Sequence, residues 1–104
     1  METASELQIH IADIKNAALL FRAVNHPLRQ NILQLIHEAG KITVTTLYHK
    51  LRLEQSVTSQ HLAILRKAGF VNTERSKRFI YYSVNYNAIK FLEEESEKLL
   101  SQPE

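Results

Sequence analysis

The sequence predicts a mainly α-helical fold with one small β-hairpin. Apolar residues recur at steps of three and four over most of the 104 residues, the spacing that places side chains on one face of a helix. The pattern changes in the stretch FVNTERSKRFIYYSV, where β-branched and aromatic residues flank a polar, charged centre, as in a hairpin. The only glycines, Gly40 and Gly69, each follow an Ala at the end of a periodic stretch, where glycines that end helices are common.

The first two predicted helices are separated by His26 and Pro27. One face of the first helix carries apolar side chains at Leu7, Ile11, Ile14, Ala18 and Phe21. Pro27 stands where helices commonly open, and the apolar pattern of the second helix continues to Gly40. His26 is expected to have a structural role.

Two short helices follow a connector at residues 41–42. Thr43 can cap the third helix, which ends near Arg52 and Leu53. The fourth helix begins around Gln55 and Ser56 and ends at Gly69. One of its faces carries Thr58, Leu62 and Leu65.

The hairpin and a last helix complete the predicted fold. Tyr81 and Tyr82 are expected to point to opposite faces of the hairpin, one of them into the core, because strand side chains alternate. Asn85 or Asn87 can cap the last helix. One face of this helix carries Ile89, Leu92, Ser96 and Leu99.

Composition narrows the function. There is no Cys, which excludes disulfides, thiolate metal ligands and cysteine nucleophiles. Residues 41–82 hold eight Lys or Arg against two Asp or Glu, whereas the segments on either side are mildly acidic. A basic centre of this kind suggests that the middle of the chain meets a polyanion.

Two short helices joined by a tight turn and followed by a basic hairpin form the helix-turn-helix plus wing arrangement that reads duplex DNA. Small polar side chains and a His open the fourth helix in the run SVTSQH. Such side chains can bond to phosphates or base edges, and a helix N-terminus favours anions. The sequence therefore predicts a winged helix-turn-helix protein whose fourth helix recognises DNA.

Three stretches carry a family resemblance: NHPLRQNILQLI, LEQSVTSQHLAILRKAGFV and RFIYYSV. Across roughly residues 20–84 the chain resembles the ArsR family of winged-helix transcriptional repressors. The resemblance implies a homodimer that binds operator DNA, with helices from both ends of the chain building the dimer contact. Many members of the family leave DNA when a metal or another effector binds.

The expected division of the chain follows from the resemblance. Residues 1–104 form a single DNA-binding domain, with an N-terminal dimerisation helix at 1–25, a helical core at 26–69, the helix-turn-helix at 43–69, the wing at 70–84 and a C-terminal dimerisation helix at 85–104. The expected DNA contacts are Gln55, Ser56, Val57, Thr58, Ser59, Gln60, His61, Arg66, Arg75, Lys77 and Arg78. The expected dimer contacts are Leu7, Ile11, Ile14, Ala18, Phe21, Ile89, Leu92 and Leu99.

Several positions depart from the family pattern. Arg52 and Lys77 stand in the turn and at the wing tip, where the family often has Gly, and each adds positive charge. The small polar and aliphatic residues at positions 57 and 58 are reversed, which would leave Val57 outward to touch a thymine methyl. No Cys is present, and the last helix has no His, so metal sensing by the family's known routes is not expected.

Partners and alternatives follow from these features. We expect no metal, no cofactor and no membrane contact, a cytoplasmic location, a near-palindromic double-stranded DNA operator, and an unidentified small-molecule effector as an open possibility. Enzymatic activity is not expected, because no phosphate-binding glycine loop or Ser-His-acid arrangement is recognisable. The alternative function is a winged helix that only binds other proteins, and the basic middle segment argues against it.

Overall fold

The computed structural model describes residues 17–101, and side chains through residue 98. Within this range the chain forms five helices and a three-stranded antiparallel sheet. The elements are α1 (residues 17–24), α2 (Pro27–Ala39), β1 (Ile42–Thr43), α3 (Val44–Leu51), α4 (Gln55–Lys67), β2 (Val71–Ser76), β3 (Phe79–Val84) and α5 (Tyr86–Ser101). The predicted mainly α fold with a small hairpin is confirmed.

The ends of α2 are set by the residues that the sequence indicated. His26 is the N-cap, and its Nδ1 accepts a hydrogen bond from the Leu28 N–H at 3.1 Å. The structural role expected of His26 is therefore confirmed. Gly40 ends the helix with φ of 78°, a left-handed conformation that glycine adopts without steric cost.

The helix-turn-helix consists of α3, a three-residue turn and α4. The Thr43 hydroxyl caps α3 by accepting from the Thr46 N–H at 3.3 Å. At the other end, the N–H groups of Arg52 and Leu53 donate to the carbonyls of His49 and Tyr48. These two bonds satisfy carbonyls that the end of α3 leaves unpaired and direct the chain into α4.

The sheet has the strand order β1-β3-β2. The hairpin pairs Val71 with Val84 and continues to the pair Ser76 and Phe79. The predicted connector at residues 41–42 is in part a strand, since Ile42–Thr43 pairs with β3. Two residues are too few to show the alternation that indicates a strand.

The core lies where α2, α3, α4 and the base of the sheet meet. Its least exposed apolar side chains, each at most 1% exposed, are Ile32, Ile36, Leu47, Leu62, Leu65 and Phe70. Burial of side chains of this size stabilises by about 1.5–3 kcal/mol each. Tyr82 of β3 is half-buried against this core, as expected for one of the two hairpin tyrosines.

Thr58 lies on the buried face of α4. Its side chain is fully buried, and its hydroxyl has no hydrogen-bond partner within the described residues. Thr58 precedes Leu62 and Leu65 by four and seven residues, so helical spacing places all three toward the core. The prediction that Thr58 contacts DNA is therefore wrong, because its side chain is shielded from solvent.

Asn85 joins the start of α5 to the end of α4. Its side-chain Nδ2 donates to the Gly69 carbonyl at 2.8 Å, and its N–H donates to the Phe70 carbonyl at 2.8 Å. Asn85 precedes the first helical residue, whereas Asn87 lies inside the helix. Of the two predicted caps, Asn85 has the capping position.

The dimer contacts expected at the chain ends are described only in part. Leu7, Ile11 and Ile14 lie outside the described residues, as does the side chain of Leu99. Ala18 is exposed and Phe21 half-buried, while Ile89 and Leu92 are partly buried against the chain's own core. The dimer stays a prediction.

Within residues 17–101, none of the helices combines the length and the apolar character that crossing a membrane requires.

Candidate nucleic-acid interface

The outward face of α4 is polar along its first two turns. Gln55, Ser56, Ser59 and Gln60 are all exposed. Ser56 and Gln60 lie opposite the side that Leu62 and Leu65 anchor in the core, and Ser59 lies beside it, because successive residues of a helix are about 100° apart. Gln55, seven residues before Leu62, is exposed because it is the first residue of α4. The polar residues of the predicted DNA-contact set are thus brought together on one solvent-facing surface.

Two members of the predicted set lie at the margin of this surface. Val57 and His61 are half-buried, each at the boundary between the packed and exposed faces of α4. The outward position that the Val-Thr order predicted for Val57 is therefore realised only in part. A half-buried valine still presents some apolar surface beside the exposed polar residues.

The N-terminus of α4 opens toward this same surface. Glu54 is the N-cap, and its side chain makes no capping hydrogen bond. The first N–H groups of a helix have no partners within the helix, and they carry a partial positive charge. An anion such as a DNA phosphate fits this end of α4.

Arg29 connects α4 to the first two helices. Its Nε donates to the Ala23 carbonyl at 2.6 Å, and one Nη donates to the Arg22 carbonyl at 3.3 Å. The other Nη lies 3.3 Å from Nδ1 of His61, while the ring of His26 lies 4.9 Å from the His61 ring. We call Arg29, His26 and His61 the basic cluster. Sequence reasoning missed Arg29, because 32 residues separate it from His61.

The basic cluster determines the protonation of His61. Burial lowers the pKa of His61 below its ordinary value of 6.5, and the proximity of His26 and of the Arg29 guanidinium lowers it further. A guanidinium can only donate hydrogen bonds, so Nδ1 of His61 must accept from Arg29. The ring is therefore neutral with its proton on Nε2, and this N–H remains a hydrogen-bond donor.

The wing carries three exposed cations, Arg75, Lys77 and Arg78. The one acid of β2, Glu74, is paired with Lys41 at 2.6 Å. Within residues 17–101, no carboxylate pairs with the three wing cations. Arg78 lies 5.5 Å from the centre of the Phe79 ring, so the wing presents cationic and aromatic groups side by side.

Arg52 and Lys77 adopt backbone conformations that favour glycine. Their φ angles are 56° and 57°, and no other non-glycine residue of the described chain has positive φ. A left-handed conformation costs residues with a Cβ about 1–2 kcal/mol. The left-handed backbone explains why Gly is common at these two positions in the family that the chain resembles. This chain has a cation at each position despite the steric cost. The DNA-contact prediction omitted Arg52, although its departure from the family pattern was the available signal.

Arg66 adds one more cation to this surface. It lies in the last turn of α4 and is exposed, so its charge is available to a ligand along this helix.

In the part of the chain that the structure describes, no three His, Asp or Glu side chains lie close enough together to bind a metal ion.

The fold and this surface define a winged helix-turn-helix protein with an exposed polar face on α4 and a cationic wing. The family model described as "Bacterial regulatory protein, arsR family" matches residues 26–73. Among curated relatives, the Vibrio cholerae transcriptional activator HlyU is 33% identical over 83% of this chain and 79% of its own length. The Pseudomonas putida arsenic resistance transcriptional regulator ArsR1 is 32% identical over 73% of this chain, which spans 59% of that protein.

Solved structures agree with the sequence matches. The crystal structure of the transcriptional repressor PagR of Bacillus anthracis has a TM-score of 0.68 and 28% identity, over 88% of this chain and 99% of PagR. The chain belongs to the ArsR family of bacterial regulatory proteins. It is a transcriptional regulator, not an enzyme.

The conformation of Arg52 generates a prediction about stability. Arg52→Gly should raise the free energy of unfolding by about 1 kcal/mol, because glycine adopts the left-handed conformation without the steric cost. Urea unfolding at fixed protein concentration measures the change. The control is Lys50→Gly, an exposed residue inside α3, which should lower stability by about 1 kcal/mol. A loss of stability in Arg52→Gly would contradict the account.

The neutral His61 generates a prediction about pH. Its pKa is lower in the folded state than in the unfolded chain, so the unfolded state binds more protons between the two values, and stability falls as pH drops below about 6.5. Between pH 7.5 and 5.5, the wild type should lose more stability in urea unfolding than His61→Gln does. His49→Gln, an exposed histidine on α3, is the matched control and should follow the wild type. Equal pH dependence of the wild type and His61→Gln would refute the effect.

Proposed function

We propose that this protein is a homodimeric repressor that binds a near-palindromic operator in double-stranded DNA through α4 and the wing. The observation that carries the proposal is the two-sided character of the first two turns of α4: Thr58 and Leu62 are buried in the core, while Ser56 and Gln60 on the opposite side are polar and exposed. A helix held in this way can enter the major groove with its polar side foremost.

In this proposal, side chains of the first two turns of α4 contact the base edges directly. Glutamine amides such as those of Gln55 and Gln60 can bond in bidentate fashion to adenine in the major groove. The hydroxyls of Ser56 and Ser59 are short and can reach base edges or phosphates. The exposed part of Val57 is suited to contact with a thymine methyl.

Contacts to phosphates fall to the cations around this face. Arg52, Arg66 and the wing cations Arg75, Lys77 and Arg78 are all exposed. Each phosphate contact made by such a cation should add about −0.9 to the slope of log affinity against log salt. The neutral His61 supplies a different kind of contact, since its Nε2–H can donate to a phosphate oxygen without carrying charge.

Dimerisation and repression complete the proposal. The exposed Ala18 and half-buried Phe21 support a second copy packing on α1, which would place two α4 helices in successive major grooves about 34 Å apart. A dimer covering its operator obstructs transcription, consistent with the name of PagR as a repressor, although HlyU is named as an activator. Such a regulator works where bacterial DNA is, in the cytoplasm.

A winged helix serving only protein contacts is the competing function. Such a protein has no need of unpaired cations on its wing or of an exposed polar recognition helix, and this chain has both. DNA binding accounts for these features together.

Gln60→Ala tests the role of α4. Loss of a bidentate base contact should weaken binding to a preferred duplex by about 1–3 kcal/mol, roughly fivefold to 150-fold in Kd. Fluorescence anisotropy with a labelled duplex enriched from a random pool measures the change. The matched control is Gln34→Ala on α2, where the exposed Gln34 side chain bonds to Glu38. This substitution should leave the affinity for the duplex unchanged. Unaltered affinity in Gln60→Ala would remove this residue from the reading surface.

A further inference from the structure

A cleft between α1 and α4 is not used by the proposed DNA-binding surface. Its volume is about 380 Å³, within the range of ordinary small-molecule sites. The apolar part of the lining consists of Leu19, Ala23, Ile64 and Ala68. Leu19 is 57% exposed and Ile64 42% exposed, so these two large apolar side chains are left open to solvent beside the cleft.

The rest of the lining is cationic. Arg22, Arg29 and Lys67 line the cleft, and none of the described lining residues is acidic. Among the residues that the structure describes, Arg29 bonds to two carbonyls and to His61, all of them uncharged. Within residues 17–101, neither Arg22 nor Lys67 pairs with a carboxylate. The cleft therefore combines an apolar floor with a concentration of positive charge that its own lining does not neutralise.

From this combination we infer that the α1–α4 cleft binds a small amphipathic monocarboxylate, with its carboxylate toward the three cations and its apolar body on Leu19 and Ile64. Charge complementarity selects an anion, and the exposed apolar side chains select an apolar body. Arg29 offers a guanidinium that matches a carboxylate in bidentate fashion.

The space next to the cleft indicates the shape of the ligand. A second cleft shares Leu19, Lys67 and Ala68 with the first and continues to Ala88 and Phe91 of α5. Its volume is about 460 Å³. An extended aliphatic chain can therefore continue from the first cleft past Leu19 toward Ala88 and Phe91, and binding should strengthen with chain length. Medium-chain carboxylates fit this space better than short ones.

The position of Arg29 gives the ligand a consequence for DNA binding. Arg29 lines the cleft and also donates to Nδ1 of His61, at the margin of the recognition face. A carboxylate that attracts the guanidinium competes with this bond and releases the His61 ring. The ligand should then lower the affinity of the protein for DNA. This effect on DNA affinity rests on the proposed function, whereas the binding of the ligand in the cleft is independent of it.

Calorimetric titration of the full-length protein with octanoate, in the absence of DNA, tests the site. We expect one octanoate per chain, at least tenfold weaker binding of butyrate, and no competition by octan-1-ol, which has the same chain length without the charge. Arg22→Gln combined with Lys67→Gln should weaken octanoate binding about tenfold or more, because charge-assisted bonds are lost. Both side chains are exposed, so thermal unfolding should show an intact fold.

Lys50→Gln is the matched control. Lys50 is an exposed cation on α3 outside the cleft, and its loss should leave octanoate binding unchanged. Absence of octanoate binding at millimolar concentration, equal binding of octan-1-ol, or full binding by the double variant would each overturn the site.

Anisotropy with labelled duplex is a separate arm of the experiment. Octanoate should weaken DNA binding by the wild type but not by the double variant. If the protein binds no DNA at all, the proposed function fails, while the calorimetric result on the cleft still stands. Octanoate binding that leaves DNA affinity unchanged would overturn the coupling through Arg29.

Discussion

The structure depends on how one face of α4 packs. Leu62 and Leu65 are fully buried with Ile36, Leu47 and Phe70, which come from α2, α3 and the segment after α4. This packing fixes the rotation of α4 about its own axis, and the rotation decides which side chains reach solvent. The exposed polar face of α4 is therefore a consequence of the core, and a shift in the core would turn different residues outward.

A second set of contacts holds α4 to its neighbours from outside the core. Arg29 reaches from α2 to the carbonyl end of α1 and to His61 on α4. Asn85 holds the end of α4 to the start of α5 through the Gly69 carbonyl. Both contacts join α4 to elements outside its own helix-turn-helix.

Apolar spacing was sufficient to predict the helices, and Thr43 and Gly40 marked the start of α3 and the end of α2. It was insufficient where a few residues decide the outcome. Ile42–Thr43 is too short to show strand alternation. Thr58 was placed among the DNA contacts for its polar side chain, although its spacing to Leu62 and Leu65 puts it on the packed face of α4. The bond between Arg29 and His61 depends on tertiary placement, which local spacing does not encode. At Arg52 and Lys77 the sequence did indicate an unusual position, because both residues depart from the Gly that is common in the family, and both have a left-handed backbone.

Selection of bound duplexes from a random pool tests most directly whether α4 reads DNA as argued. Two similar half-sites in inverted orientation, with centres about 34 Å apart, should be recovered, and substitution of exposed α4 residues should change the preferred bases within them. A pool that stays random after repeated rounds, although the protein binds duplex, would contradict the account, because binding would then come from charge alone.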